Sequence, residues 1–432
     1  METLCVEKPV KPLTGIMSVP GDKSISHRAV MLGAVADGTT VIRGFLMSDD
    51  CLRTVDCFRM MGVTISTPSN QEMRIEGRGW EGLQEPTQVL DVGNSGTTIR
   101  LLLGMLAGRP FHAVLQGDAS IGRRPMKRVV DPLRSMGARI DGRQDGQYTP
   151  LAVRGGSLTG RRFTSPVASA QVKSAILLAG LQAEGETTVT EPSVSRDHTE
   201  RMLSAFGVTV DRQDTTVRVQ GGQRLHGDLT LSIPGDISSA AYFVAAATLI
   251  PKSQLVLKNV GINPTRTGLL DVLQAMGGKV DMVDRKMWGG EPVADLCVTS
   301  SQLQATTIEG ELIPRLIDEL PIIAVLATQA EGKTVIRDAQ ELRVKETDRI
   351  ATVSRFLADM GAQVEPTADG MIIYGPTPLK GATVDTHGDH RIGMAAFVAG
   401  LIADGPTRIV GAKAINVSFP GFAQCFQHLF RS

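Results

Sequence analysis

Lys23, Ser24 and Arg28 lie in the stretch Gly21-Asp22-Lys23-Ser24-Ile25-Ser26-His27-Arg28, a glycine turn that runs straight into an Ala-rich segment. That composition predicts the start of a helix. The first backbone N–H groups of a helix have no intrahelical partners and carry partial positive charge, so a lysine and an arginine added there make an anion site. An ordinary helix cap with solvated charges would look the same if the pattern occurred once. It recurs: Arg100, Lys173 and Arg391 each sit near the start of another stretch rich in Ala, Leu and small residues. Pairing with Asp or Glu accounts for some such cations, but poorly for the same placement in several copies. The pattern points to small, multiply anionic ligands carrying phosphate and carboxylate.

Other stretches carry compatible chemistry. Ile121-Gly122-Arg123-Arg124-Pro125 reads as a loop with paired arginines before a helix, and Ser193-Val194-Ser195-Arg196-Asp197-His198 as a loop that opens one. Arg343-Val344-Lys345-Glu346-Thr347-Asp348-Arg349 is expected to open a helix with Lys345 and Arg349 one turn apart on one face. Arginine there can hold a carboxylate or phosphate with two parallel bonds, although a surface ladder of opposite charges would have the same spacing. Asp318 precedes an apolar run and is expected at a helix N-cap; in a cationic setting it could act as a general base. Asp385-Thr386-His387-Gly388-Asp389-His390-Arg391 has metal-ligand residue types, but the adjacent arginine opposes a cation. Neither a G-x-x-x-x-G-K-[ST] loop nor a dinucleotide fingerprint occurs, so ATP and NAD use are not indicated.

The elements that must position these residues form a repeat. Six segments, beginning near Gly21, Gly93, Ser165, Gly235, Asp318 and Gly388, share a polar or glycine loop, a nearly uncharged helix, a turn and a T-x-V strand, at a spacing of roughly 70 residues with one longer interval. An amphipathic second helix follows in at least five copies. It ends in Met61-Gly62, Met136-Gly137, Phe206-Gly207, Met276-Gly277 and Met360-Gly361, where each glycine fits the position just beyond a helix C-cap. The sixth copy stops at Phe422-Ala423-Gln424-Cys425-Phe426 as the chain ends. Units this small pack in groups. Grouping three with three gives an α/β chain of two similar domains, residues 21–234 and residues 1–20 with 235–432, although the leading β-like stretch alone could belong to either.

Composition narrows the function further. Lys plus Arg and Asp plus Glu each number 45, so no global basic field favours nucleic acid or a membrane surface. Aromatic residues are only 4%, which argues against base-stacking platforms. The five cysteines are scattered without a C-x-x-C pair and read as small buried hydrophobes in a reducing compartment. The N-terminus has no apolar core of signal-peptide length, and the longest apolar run, Ala240 to Ile250, is too short to span a bilayer. A soluble cytoplasmic protein is expected.

The motifs GDKSISHR, LDVGNSGTTIR, GRRPM, SAQVKSA, RVKETDR and GDHR, spread from Gly21 to Arg391, resemble those of the bacterial-type EPSP synthases, or 3-phosphoshikimate 1-carboxyvinyltransferases. The resemblance covers essentially the whole chain. It implies the enolpyruvyl transferase fold: two domains, each of three βαβαββ-like units around buried helices, with the active site in the interdomain cleft. It implies transfer of the enolpyruvyl group of phosphoenolpyruvate to the 5-hydroxyl of shikimate 3-phosphate, with release of phosphate, on the way to chorismate. The reaction runs by addition to a tetrahedral intermediate and then elimination. No metal or organic cofactor, no nucleic acid and no membrane is implied, and a monomer is expected. By position, Lys23, Ser24, Arg28, Ser169, Gln171, Ser195, Asp318 and Lys345 are implied to contact shikimate 3-phosphate. Lys23, Gly96, Arg124, Gln171, Arg349 and Arg391 are implied to hold phosphoenolpyruvate. Asp318 is the implied proton acceptor and Glu346 the implied donor, with Lys23 assisting.

The chain departs from some members at three positions: Ala170 replaces a second serine, His198 a substrate-contacting tyrosine, and Val417 a lysine at the phosphoenolpyruvate phosphate. The main alternative is the sister enolpyruvyl transferase acting on UDP-N-acetylglucosamine. Ala119 stands here at its reactive-cysteine position, and Lys23-Ser24 replaces its Lys-Asn pair. A repeat-built RNA-terminus-processing or binding protein fits poorly with neutral charge and scarce aromatics. A catalytically dead scaffold fits poorly with the presence of Lys23, Asp318, Glu346 and Arg391.

Overall fold

The computed structural model describes residues 3–69 and 72–431. Twelve helices of eight residues or more alternate between two roles among the described residues: α1 (Lys23–Val35), α2 (Asp49–Met60), α3 (Gly96–Leu106), α4 (Lys127–Met136), α5 (Ala170–Gly180), α6 (His198–Ala205), α7 (Ile237–Leu249), α8 (Gly268–Ala275), α9 (Leu320–Thr328), α10 (Arg349–Asp359), α11 (His390–Ile402) and α12 (Phe422–Arg431). The odd-numbered helices carry charge only in their first two turns and are buried round their circumference; in α7 every residue from Ile237 to Thr248 is buried. The even-numbered helices bury one stripe, as α4 does with Val129, Val130, Leu133 and Met136. Gly62, Gly137, Gly207, Gly277 and Gly361 all have positive φ, so the glycine beyond each of α2, α4, α6, α8 and α10 reverses the chain in the left-handed region.

The chain divides into two compact units. The Lys23 unit contains Gly21–Ile233 and Met287–Glu291; the Asp318 unit contains Met1–Pro20, Pro234–Lys286 and Pro292–Ser432. Residues 287–291, expected with the second domain, therefore pack with the Lys23 unit. Arg201 ties them there by donating to the Gly290 carbonyl.

Each repeat closes its own sheet. In the Lys23 unit, Leu90–Asp91 runs parallel to His112–Gln116 across α3, and Tyr148–Arg154 then pairs antiparallel on the other side. The first repeat takes its parallel strand from the end of the third, where Leu229–Ser232 pairs with Ala36–Arg43. The Asp318 unit closes in the same way. Thr14–Ser18 runs parallel to Gln254–Gly261, and Thr3–Val6 pairs antiparallel with Thr407–Val410. These pairings assign the leading β-like stretch to the Asp318 unit.

One apolar core fills each unit. In the Lys23 unit α3 lies so close to α5 that a Cβ on Gly104 would meet the Ala175 carbonyl oxygen at 2.2 Å, so only glycine fits there. In the Asp318 unit α12 continues past the expected stop and buries Phe422, Phe426 and Leu429. Phe426 stacks on Phe243 with ring centroids 4.3 Å apart.

Several local expectations are corrected. Asp318 is not an N-cap: Glu319 holds that position and α9 starts at Leu320, where Pro321 fits a first turn that needs no N–H from it. Lys345 is not on a helix with Arg349. Residues Gln340–Val344 form a 3₁₀ segment, and α10 begins at Arg349 because the Asp348 carboxylate caps it by accepting the Ala351 N–H at 3.1 Å. Ile121–Arg123 is a short 3₁₀ turn rather than an open loop. Of the cysteines only Cys51 and Cys57 are buried; Cys297 and Cys425 are half-buried and Cys5 is exposed. Cys5 lies on the edge strand Thr3–Val6 and Cys425 on a partly solvated face of α12, which leaves both in contact with water.

Candidate active site

In the Lys23 unit the N-terminal ends of α1, α3 and α5 come together. Asp22 caps α1 by accepting the Ile25 N–H at 2.9 Å. Lys23 opens the helix and pairs with Asp50 at 3.0 Å. Ser24 follows, and its carbonyl accepts from Arg28 at 3.0 Å. The Arg28 side chain is buried and donates to Thr199 Oγ1 at 2.6 Å and to Ser174 Oγ at 2.9 Å. Those three acceptors are neutral. Burial pushes the Arg28 guanidinium down to about 10, against the upward pull of Glu200 and Asp22.

Gly96 opens α3. A Cβ there would lie 2.8 Å from Arg124 Nη1 and 3.0 Å from Arg100 Nη1, so the missing side chain is what admits two guanidinium groups to the helix end. Arg100 donates to Gln171 Oε1 at 2.5 Å, and Gln171 donates back to Thr97 Oγ1 at 2.9 Å. Arg124 reaches Asn94 and Ser120 through long bonds of 3.5 and 3.4 Å. Two positive charges held side by side at a helix end can take an anion between them.

Ser169 is the N-cap of α5, yet its side chain does not cap that helix. Its backbone N–H donates instead to Glu191 Oε1 at 2.8 Å. The Ser195 hydroxyl donates to the other oxygen of the same carboxylate at 2.7 Å. Lys173, read from the sequence as a cation offered to a ligand, is engaged internally: its ammonium lies 3.0 Å from Glu191 and 2.8 Å from Glu200. Burial lowers the Lys173 ammonium, but the two glutamates outweigh it and the net shift is upward. His198, the position of a tyrosine in some EPSP synthases, is buried with Nδ1 2.7 Å from Glu291.

In the Asp318 unit the predicted residues form one network around a carboxylate. Asp318 Oδ1 lies 3.5 Å from Lys345 and 3.3 Å from Arg349, and Asp318 Oδ2 lies 3.8 Å from Arg391. Arg349 is almost wholly buried. It donates to Glu346 at 2.6 Å and grips Asp389 with two bonds of 2.8 and 3.2 Å. Burial opposes the Arg349 charge, but Asp389 and Glu346 overcome it and raise the guanidinium above its ordinary value. Arg391 shifts the same way: burial lowers it, and Asp318 leads the groups that raise it. Lys345 reaches Asp318 from an extended segment, so loop geometry brings it to Arg349's target without a shared helix face.

The structure thus brings Lys23, Ser24 and Arg28 onto one helix, links Gly96 and Gln171 through Arg100 with Arg124 beside Gly96, and joins Ser169 to Ser195 through Glu191. It gathers Asp318, Lys345, Glu346, Arg349 and Arg391 into the second set. Sequence reasoning missed the residues that hold these sets in place. Asp389 was weighed as a possible metal ligand; it grips Arg349, accepts from Thr347 at 3.1 Å and caps α11 through the Arg391 N–H. Glu319, beside Asp318, accepts from Ser238 and lies 3.8 Å from Arg391. Glu191 had one available signal, a carboxylate at a strand end next to proline.

Chemically, the first set offers hydrogen-bond donors and positive charge to anions, and the second offers a proton-accepting carboxylate among cations. Comparison with known proteins bears on that arrangement. A family model described as EPSP synthase (3-phosphoshikimate 1-carboxyvinyltransferase) matches residues 7–426. The 3-phosphoshikimate 1-carboxyvinyltransferase of Brevibacillus brevis is 62% identical over 412 residues, which is 95% of this chain and 96% of that relative. That of Bacillus subtilis is 59% identical over 421 residues, 97% of each chain. The structure of EPSP synthase from Acinetobacter baumannii superposes with a TM-score of 0.89 at 44% identity, covering 99% of this chain and 98% of the other. The enolpyruvyl transferase NikO from Streptomyces tendae shares the fold, with a TM-score of 0.79 at 16% identity over 99% of this chain and 97% of that one.

Proposed function

This chain belongs to the EPSP synthase family, and from that premise we propose how its two residue sets divide one reaction. The enzyme transfers the enolpyruvyl group of phosphoenolpyruvate to the 5-hydroxyl of shikimate 3-phosphate, releases phosphate and forms 5-enolpyruvylshikimate 3-phosphate. It is a transferase of the shikimate pathway and proceeds by addition and elimination through a tetrahedral intermediate.

In our reading Lys23, Ser24, Arg28, Ser169, Gln171, Ser195, Asp318 and Lys345 bind shikimate 3-phosphate. Lys23, Gly96, Arg124, Gln171, Arg349 and Arg391 bind phosphoenolpyruvate. The two sets therefore serve one substrate pair. Asp318 accepts the proton of the 5-hydroxyl as its oxygen forms a bond to C2 of phosphoenolpyruvate. Glu346 delivers a proton to C3, and the tetrahedral adduct results. Loss of a proton from the new methyl group restores the double bond, and the C2–O bond to phosphate breaks. Lys23 assists these proton movements.

Both substrates are polyanions, so their approach costs repulsion that cations must offset. One ion pair at about 4 Å contributes roughly 4 kcal/mol at an effective dielectric near 20, before desolvation. In this reading Lys23, Arg124, Arg349 and Arg391, with the helix N-termini beside them, are the groups that offset it. The observation that carries the reading is the convergence of Lys345, Arg349 and Arg391 on the single carboxylate of Asp318.

Among the described residues no helix is long and apolar enough to cross a membrane. We take the enzyme to act as a cytoplasmic monomer without nucleic-acid partners, on its balanced charge and scarce aromatics; sedimentation at working concentration tests the monomer. The test of function is inorganic phosphate release from phosphoenolpyruvate and shikimate 3-phosphate. Release that requires both substrates is expected. Release only when UDP-N-acetylglucosamine replaces shikimate 3-phosphate would transfer the reading to the sister enzyme.

A further inference from the structure

Glu191 is 4% exposed and directly follows the strand Glu186–Thr190 that feeds the Ser195 loop. Its two oxygens receive three donors: the Ser169 N–H at 2.8 Å, the Ser195 hydroxyl at 2.7 Å and the Lys173 ammonium at 3.0 Å. The bond to Ser169 is the unusual one. In a capping box, the carboxylate that takes the N-cap N–H reaches back from the first turn of the same helix. Here it arrives from another segment, while the Ser169 hydroxyl, which ordinarily caps the helix, does not do so. The α5 terminus is therefore held by Glu191, and the Ser169 hydroxyl has no capping duty.

A carboxylate this close to a phosphate subsite would repel the ligand unless its charge were answered. Lys173 answers it and is itself shared with Glu200 at 2.8 Å. Lys173 also donates to the Ser195 carbonyl at 3.4 Å, so both members of the pair touch the Ser195 loop. Lys173 and Arg28, on which Glu200 also acts, face Glu191 and Glu200, so the buried cluster fixes geometry with its charges answered.

We propose that Glu191, paired with Lys173, is a positioning residue for shikimate 3-phosphate: one carboxylate sets the backbone of Ser169 and the hydroxyl of Ser195 in register. The inference rests on the reading that those two serines bind shikimate 3-phosphate. Glu191 touches no reacting atom in this account and acts through the serines.

The test compares E191Q with E200Q in the full-length enzyme, measuring KM for each substrate, kcat and melting temperature. Glutamine at 191 keeps the shape but replaces one acceptor with a donor, so either the Ser169 bond is lost or the Ser195 hydroxyl must turn to accept while the amide faces the Lys173 ammonium. Glutamine at 200 disturbs the same lysine and leaves both serine bonds intact. E191Q is expected to raise KM for shikimate 3-phosphate about ten-fold or more, the scale of a misplacement near 1 Å, with KM for phosphoenolpyruvate nearly unchanged. E200Q is expected to lower the melting temperature with little effect on either KM. Equal effects of the two variants would overturn the proposal, because Glu191 would then matter only as a buried charge. If E191Q does not fold, the triple variant K173M/E191Q/E200Q removes all three charges together, and the same selective rise in KM is required of it. S169A and S195A separate the two levels of the argument. If neither raises KM for shikimate 3-phosphate, the assignment of the serines fails; if they do and E191Q does not, only the role of Glu191 fails.

Discussion

The two units are built from one repeat, yet they load the ends of their buried helices in opposite ways. In the Lys23 unit the caps of α1, α3 and α5 are Asp22, Ser95 and Ser169, and the buried Arg28 donates to two hydroxyls and a carbonyl. In the Asp318 unit the caps of α7, α9 and α11 are all carboxylates, Asp236, Glu319 and Asp389. Their arginines grip those carboxylates: Arg266 meets Asp236 at 3.3 Å and Arg349 meets Asp389 at 2.8 Å. The contrast appears in the arginines themselves, for Arg28 is pushed down while Arg349 and Arg391 are raised. A buried cation on neutral partners still seeks an anion, which suits binding. A carboxylate ringed by cations that other carboxylates anchor is fixed in place, which suits proton transfer.

The comparison makes graded predictions. The largest effect should come from the Asp318 unit. D389A removes the two-bond partner of the buried Arg349, leaving it Glu346 and Asp318, and also removes the α11 cap, and should cost about 3 kcal/mol in chemical denaturation. D50A, which removes the partner of the partly exposed Lys23 in the other unit, should cost clearly less. Equal losses would erase the contrast. Next, R124A should raise KM for phosphoenolpyruvate about ten- to hundred-fold, the value of a hydrogen bond to a charged group, with a smaller change in kcat. A fall in kcat at constant KM would place Arg124 in the chemistry instead.

G104A should destabilise the Lys23 unit by about 1–3 kcal/mol through overpacking against the Ala175 carbonyl, read as a shifted denaturation midpoint. The smallest effect concerns pH. Burial, with Lys23 and Arg28 adding to it, holds His27 well below its ordinary 6.5. The unfolded chain therefore takes up a proton below about pH 6.5 that the folded chain refuses. Stability from this site is full above that pH and falls as pH drops toward the folded value, by at most about 1.4 kcal/mol per unit. H27Q should flatten that part of the stability curve, and an unchanged slope would show that His27 titrates normally.

Much of this organisation was legible in the chain. The six starts, the glycines after the second helices and the cation placement follow from periodicity and from residue types that have few other uses. The motif residues were visible because lysine, arginine and aspartate beside apolar helices are costly unless they are used. What could not be read was pairing across the fold. Lys173 looks like Arg28 in sequence, both being cations in the first turns of a buried helix, yet one is neutralised by Glu191 and Glu200 and the other is not. Lys345 and Arg349 have helix spacing but meet at Asp318 from different local structures, because Asp348 starts the helix later. Asp389 sits in a run with metal-ligand composition, and only the position of Arg349 shows its use.

The division of labour is tested most directly by D318N, with calorimetric titration of shikimate 3-phosphate beside phosphate release in the presence of both substrates. The account predicts that binding stays within a few-fold of the parent while turnover falls by about 10²–10⁴, the range for loss of a general base. Turnover near the parent rate, with binding intact, would contradict Asp318 as the proton acceptor and with it the assignment of the chemistry to its unit.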